Sequence, residues 1–75
     1  MTFKNLVTNI TVQGNVRISE WEDDEELYVY EFTYVDNLLS LVSTEELRYL
    51  LKKHVKFMFT PGDGYLHIEL VDSLA

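Results

Sequence analysis

The chain has 75 residues and a mass of 8.8 kDa, room for one domain that buries only about 60% of its unfolded surface. The absence of cysteine excludes a disulfide scaffold and a thiolate metal site, and an apolar fraction of 47% excludes a disordered tail. Thirteen acids against six bases give a net charge of −7, which excludes a free-standing binder of nucleic acid or anionic membrane.

Residues 1–10 hold Lys4 and scattered apolar residues, without the roughly 7–15 residue apolar core of a signal peptide. No apolar run approaches the roughly 20 residues that span a bilayer, so the expectation is a soluble, cytoplasmic protein. Phe3, Leu6, Val7 and Ile10 follow the i, i+3, i+4, i+7 stripe of a short helix over 3–9, with Thr2 placed to cap it. The competing reading is a strand over 10–12 that turns back at Gln13-Gly14-Asn15.

Val16, Ile18 and Glu20 alternate with Arg17, Ser19 and Trp21, the period of a strand. The charged run Glu22–Glu26 reads as a turn. Residues 27–35 form the strongest strand, rich in Tyr, Val, Phe and Thr. Tyr28, Tyr30, Phe32 and Tyr34 share one face; Leu27, Val29, Glu31 and Thr33 share the other. Apolar residues on both faces predict a central strand, and the short link from Trp21 predicts an antiparallel hairpin.

Ser43-Thr44-Glu45-Glu46 has the spacing of a capping box and predicts a helix over 44–53, with Leu47, Leu50 and Leu51 on its apolar face. Its acids lie at the start and Lys52 and Lys53 at the end, as the helix dipole favours. Val55, Phe57 and Phe59 then alternate with Lys56 and Met58. Pro61-Gly62-Asp63-Gly64 signals a turn, and Leu66, Ile68 and Leu70 alternate with Tyr65, His67 and Glu69. The whole reads as one α+β domain over 1–75. It has a four-stranded, mainly antiparallel sheet of two β-hairpins, with a central helix and a short N-terminal helix on one face. The expected core is Val16, Ile18, Val55, Phe57, Phe59, Leu66, Ile68, Leu70, the helix leucines and one face of the 27–35 strand.

Charge is distributed unevenly. Residues 20–31 hold seven acids and no base, and the remainder holds six of each. The entire net charge therefore belongs to one strand–turn–strand segment on an otherwise neutral body. Such a run can serve only as a solubilising tip that blocks edge pairing. It can also dock a basic surface, since adjacent carboxylates repel one another until a cation approaches. Exposed Trp and Tyr beside it would be interface anchors. The candidate partner-binding residues are Glu20, Trp21, Glu22, Asp23, Asp24, Glu25, Glu26, Tyr28 and Tyr30. A basic counter-patch of Arg48, Lys52, Lys53 and Lys56 is the place where another copy could meet the acidic lobe.

No catalytic constellation stands out. The chain has no Gly-rich phosphate loop and no His-Glu-x-x-His, and Glu22–Glu26 lacks the spacing of a calcium loop. His54 is expected at the end of the helix and His67 on the outer face of the last strand. The expectation is a non-enzymatic binding protein with no cofactor, no metal, no membrane and no direct nucleic-acid contact. Its partner would be a basic protein. The alternative is a self-associating module, a homodimer paired through a sheet face or an edge strand.

Acids on both strands of a hairpin can approach the charge density of duplex DNA, which carries about one charge per 1.7 Å. In size, charge and the stretches Gly14-Asn15-Val16-Arg17-Ile18-Ser19-Glu20-Trp21 and Gly62-Asp63-Gly64-Tyr65-Leu66-His67-Ile68-Glu69, the chain resembles small acidic proteins of unknown function encoded by phages and conjugative elements. Some proteins of that kind block restriction or CRISPR nucleases, so the resemblance implies an inhibitor of a nucleic-acid-binding protein. The clustering of acids at one end departs from the spread of a nucleic-acid mimic.

Overall fold

Thr2 starts the first helix: its side chain accepts a hydrogen bond from the Asn5 N–H at 3.2 Å, satisfying one of the donors a helix start leaves free. A computed structural model describes residues 1–72 of the chain. Helix α1 spans Phe3–Asn9 and buries Phe3, Leu6 and Val7. Ile10 ends it in extended conformation and is exposed, so the expected stripe loses its last member. Residues 10–13 lie outside any helix or strand, and the Val12 carbonyl accepts a bond from the Leu38 N–H at 3.2 Å.

Strand β1 (Gly14–Glu22) turns at Asp23 and Asp24 into β2 (Glu25–Val35). Helix α2 (Leu38–Val42) follows, then a 3-10 helix over Arg48–Lys52, then β3 (His54–Phe59) and β4 (Leu66–Val71). The sheet order is β2-β1-β4-β3. Each hairpin is antiparallel, and the central β1–β4 pair that joins the hairpins is parallel. The sheet is therefore mixed, because the helical connection returns the second hairpin beside β1 in the same direction. The class is α+β, as the alternation predicts.

One face of the sheet carries the core. Val16, Ile18, Ile68 and Leu70 meet Phe3, Leu6 and Val7 of α1, Leu38 and Val42 of α2, and Leu50 of the 3-10 helix. The strand residues paired on the opposite face have no helix over them. Burying an apolar face of this kind is the main favourable term in so small a fold, at about 25 cal/mol per Å².

Several expectations are overturned. The strand over 27–35 is an edge, not a centre; apolar residues on both of its faces do not signal burial here, since Leu27, Tyr28, Val29 and Tyr34 are exposed. The helix expected over 44–53 is a turn followed by a 3-10 helix, with no side-chain cap at its start. Asn37 instead starts a helix earlier, accepting from the Leu39 and Ser40 N–H groups, and Ser43 closes it by donating to the Leu39 carbonyl. The capping-box serine thus serves a helix end. His54 opens β3 rather than ending a helix.

Phe57 and Phe59 leave the core as well. Val55 pairs with Leu70 but Phe57 pairs with Glu69, so one extra residue is inserted between them. Such a bulge moves every later side chain of β3 to the other face. Phe57 and Phe59 then stand with Glu69 and His67 on the helix-free side, 55% and 41% exposed.

Candidate functional site

The acidic run is a hairpin end, not a loose turn. Glu22 and Glu25 are cross-strand partners, and only Asp23 and Asp24 connect them. Asp23 takes φ 55°, a left-handed conformation that Asp tolerates better than most residues. All five residues from Glu22 to Glu26 are exposed. Like charges set opposite one another cost stability, so this arrangement is not what packing alone would select.

Arg17 on β1 reaches Glu26 at 3.7 Å and Glu31 at 3.5 Å. Partly exposed pairs of this kind contribute about 0–1 kcal/mol, and one guanidinium shared by two carboxylates offsets only part of the charge in the middle of the hairpin. Among the described residues no ion pair reaches Glu22, Asp23, Asp24 or Glu25. The uncompensated charge is concentrated on those four carboxylates at the tip.

Glu20 does not belong to that group. It shares its face with Val16 and Ile18, is only 4% exposed, and points toward the helical layer. Its carboxylate accepts from Tyr49 Oη at 2.6 Å and Tyr30 Oη at 3.3 Å, and Lys53 Nζ lies 3.3 Å away. The two tyrosine hydroxyls also contact each other, and Lys53 extends to Asp72. A buried carboxylate requires such partners. Burial pushes the Tyr49 hydroxyl well above the usual tyrosine range, and its bonds to Glu20 and Tyr30 push it further. Burial pulls Lys53 down, but the Asp72 and Glu20 carboxylates outweigh it and hold the ammonium above its usual value. Tyr30 is half-buried in the same cluster, so two of the nine sequence candidates form an internal polar anchor. The phase of β1 signals this, because Glu20 alternates in step with Val16 and Ile18.

The remaining candidates flank the tip. Trp21 is half-buried on the helix-free face, its Nε1–H donating to Ser19 Oγ at 3.2 Å. Tyr28 shares the face of Glu20 but is 62% exposed beyond the helical layer.

The helix-free face is ordered in rows by the sheet register. Glu31, Arg17, His67 and Phe59 form one row, and Val29, Ser19, Glu69 and Phe57 form the next. His67 is buried there, stacked on Phe59 with ring centroids 5.1 Å apart, and its Nε2 lies 2.7 Å from Asp63 Oδ2. The bond to His67 and the Tyr65 N–H hold the Asp63 carboxyl below its usual value. Neither His67 nor this aromatic surface was legible as a unit, because the bulge in β3 assembles it.

A second feature outside the sequence candidates is Tyr34. It has φ 56° and is 89% exposed. Its N–H donates to Asn15 Oδ1 at 3.1 Å, and the Asn15 amide reaches the Gly64 carbonyl at 3.4 Å. Asn15 thereby ties the end of β2 to the β3–β4 connection.

Among the described residues no group of three or more His, Asp or Glu is placed to hold a metal ion, and no helix is long and apolar enough to cross a membrane. Compared with known proteins, the chain matches no family model, no curated protein and no solved structure.

Proposed function

We propose that this chain is a non-enzymatic binding protein that docks a basic protein through the tip of the β1–β2 hairpin. The observation that carries the reading is the concentration of four exposed carboxylates, Glu22, Asp23, Asp24 and Glu25, on the two-residue connection and the strand ends it joins; among the described residues none of the four has an ion-pair partner. A field of one sign on a protruding element raises the rate of encounter with an oppositely charged surface. Trp21 and Tyr28 flank the tip and supply the aromatic contacts that carry interface energy. A partner that normally holds nucleic acid offers such a basic surface, and the chain would then act as its inhibitor. Glu20 and Tyr30 support the hairpin from inside rather than touching the partner.

The test is capture from a nuclease-treated lysate with the wild type and with a variant carrying Glu22→Gln, Asp23→Asn, Asp24→Asn, Glu25→Gln and Glu26→Gln. A basic protein retained by the first and lost by the second, with unchanged circular dichroism, supports the reading. Retention by both refutes it.

A second reading rests on the helix-free sheet face, where Phe57 and Phe59 are exposed. Apolar surface of that kind suits face-to-face pairing of two copies, with the acidic tip serving only solubility. Sedimentation over a wide concentration range separates the two, since a strict monomer removes the self-association model.

A further inference from the structure

Strand β2 is the longest in the sheet, and among the described residues β1 is its only neighbour. In an antiparallel pair every second residue turns its N–H and C=O away from the partner strand. Among the described residues no backbone group outside β1 bonds to β2 between Glu25 and Thr33. The opposite edge differs: the Val55 N–H donates to the Met1 carbonyl at 2.9 Å, and Thr2 bridges His54. Among the described residues the protein thus covers the start of one edge strand and leaves the other open from Glu25 to Thr33.

The open edge also displays side chains with something to gain from a neighbour. Leu27, Tyr28 and Val29 are all exposed. Glu26, Val29 and Glu31 lie on the helix-free face, and Tyr28, Tyr30 and Phe32 on the other. A second copy is a poor occupant. Pairing two β2 edges brings together two strands that each carry Glu25, Glu26 and Glu31, and like charges gathered along one seam repel one another. The edge has no base of its own, so charge complementarity selects a cationic strand.

We propose that the free edge of β2 accepts an extended segment of the basic partner as a fifth strand, with Lys or Arg on its helix-free face opposite Glu26 and Glu31 and apolar residues against Tyr28 and Tyr30. This rests on the docking function above and adds its mode: main-chain bonds supply affinity, and alternate side chains supply specificity. The tip carboxylates attract the segment, and the edge fixes it in register. The acids that deter self-pairing are then the same groups that admit a cationic strand.

The test uses the full ¹⁵N-labelled chain and two synthetic peptides of equal charge. One is an alternating Lys-Val peptide; the other has the same sequence with alternate backbone nitrogens methylated, which removes donors without changing charge. Strand addition predicts slowed hydrogen exchange at alternate β2 amides with the first peptide. It also predicts affinity lower by about tenfold or more for the second, because several backbone bonds are lost together. Equal binding of both peptides, with shifts confined to residues 22–25, overturns strand addition and leaves tip docking intact. Failure of both peptides to bind also overturns it, while the five-amide capture experiment decides the docking function separately.

Discussion

Tyr49 Oη lies 2.6 Å from Glu20 Oε2, so a carboxylate of the central sheet is held by a hydroxyl from the 3-10 helix. This bond and the Lys53 ion pair anchor the helical layer to the base of the acidic hairpin. Glu20→Ala should lower stability by about 1–3 kcal/mol, since it strips partners from half-buried polar groups. Glu20→Gln should cost less, because the amide still accepts from Tyr49. Urea unfolding of both variants measures the difference, and an unchanged midpoint for Glu20→Ala would show the anchor to be idle.

The same cluster makes the stability of the fold sensitive to alkali. Tyr49 and Lys53 are both held above their ordinary values of 10.0 and 10.5, so the protonated forms belong to the folded state. Their contribution is complete below pH 10.0 and is lost as pH rises beyond it, where the unfolded chain releases protons that the folded one keeps. Tyr49→Phe should remove the tyrosine share of that slope. Thermal unfolding from neutral pH to pH 11 or above reads the effect, expected as a smaller fall in Tm for the variant.

At the acid end the sign reverses. The Asp63 carboxyl is held below 3.8 by His67 and the Tyr65 N–H, so its contribution is present above that value and lost as pH falls beneath it. Asp63→Asn should be less sensitive than the wild type over the same acid titration. An identical acid transition in both proteins would contradict the His67–Asp63 contact.

Exposed Tyr34 holds an aromatic side chain in a left-handed conformation, which costs roughly 1–2 kcal/mol for an L-residue. Tyr34→Gly removes that cost and little packing, and should stabilise the fold by about 1 kcal/mol net. For a domain of this size that is a rise in Tm of about 4–8 °C. A drop in Tm would mean that the Tyr34 side chain contributes contacts beyond its backbone bond to Asn15.

The parts of this fold that were legible in the sequence are those settled locally. Thr2 and the Phe3–Leu6–Val7 stripe define α1 without help from distant chain, and Gly62-Asp63-Gly64 closes the second hairpin by turn chemistry alone. The illegible parts are settled by partners far along the chain. Nothing near Lys56 announces a bulge; only pairing with β4 turns Phe57 and Phe59 outward. Edge or centre for β2 depends on the parallel β1–β4 contact, which no local pattern encodes. The capping-box spacing at Ser43 was locally sound but lost to Asn37, whose side chain starts a helix that places Leu38 and Val42 in the core. For the site, the charge arithmetic found the hairpin, while grouping by charge hid the inward phase of Glu20.

The most direct measurement is capture of the basic partner by three baits: wild type, the tip variant E22Q/D23N/D24N/E25Q, and Glu20→Gln. The account predicts that the tip variant loses the partner by about tenfold or more while Glu20→Gln, though less stable, retains it. Retention by the tip variant and loss by Glu20→Gln would contradict it, and would place the working surface at the helical layer instead of the hairpin tip.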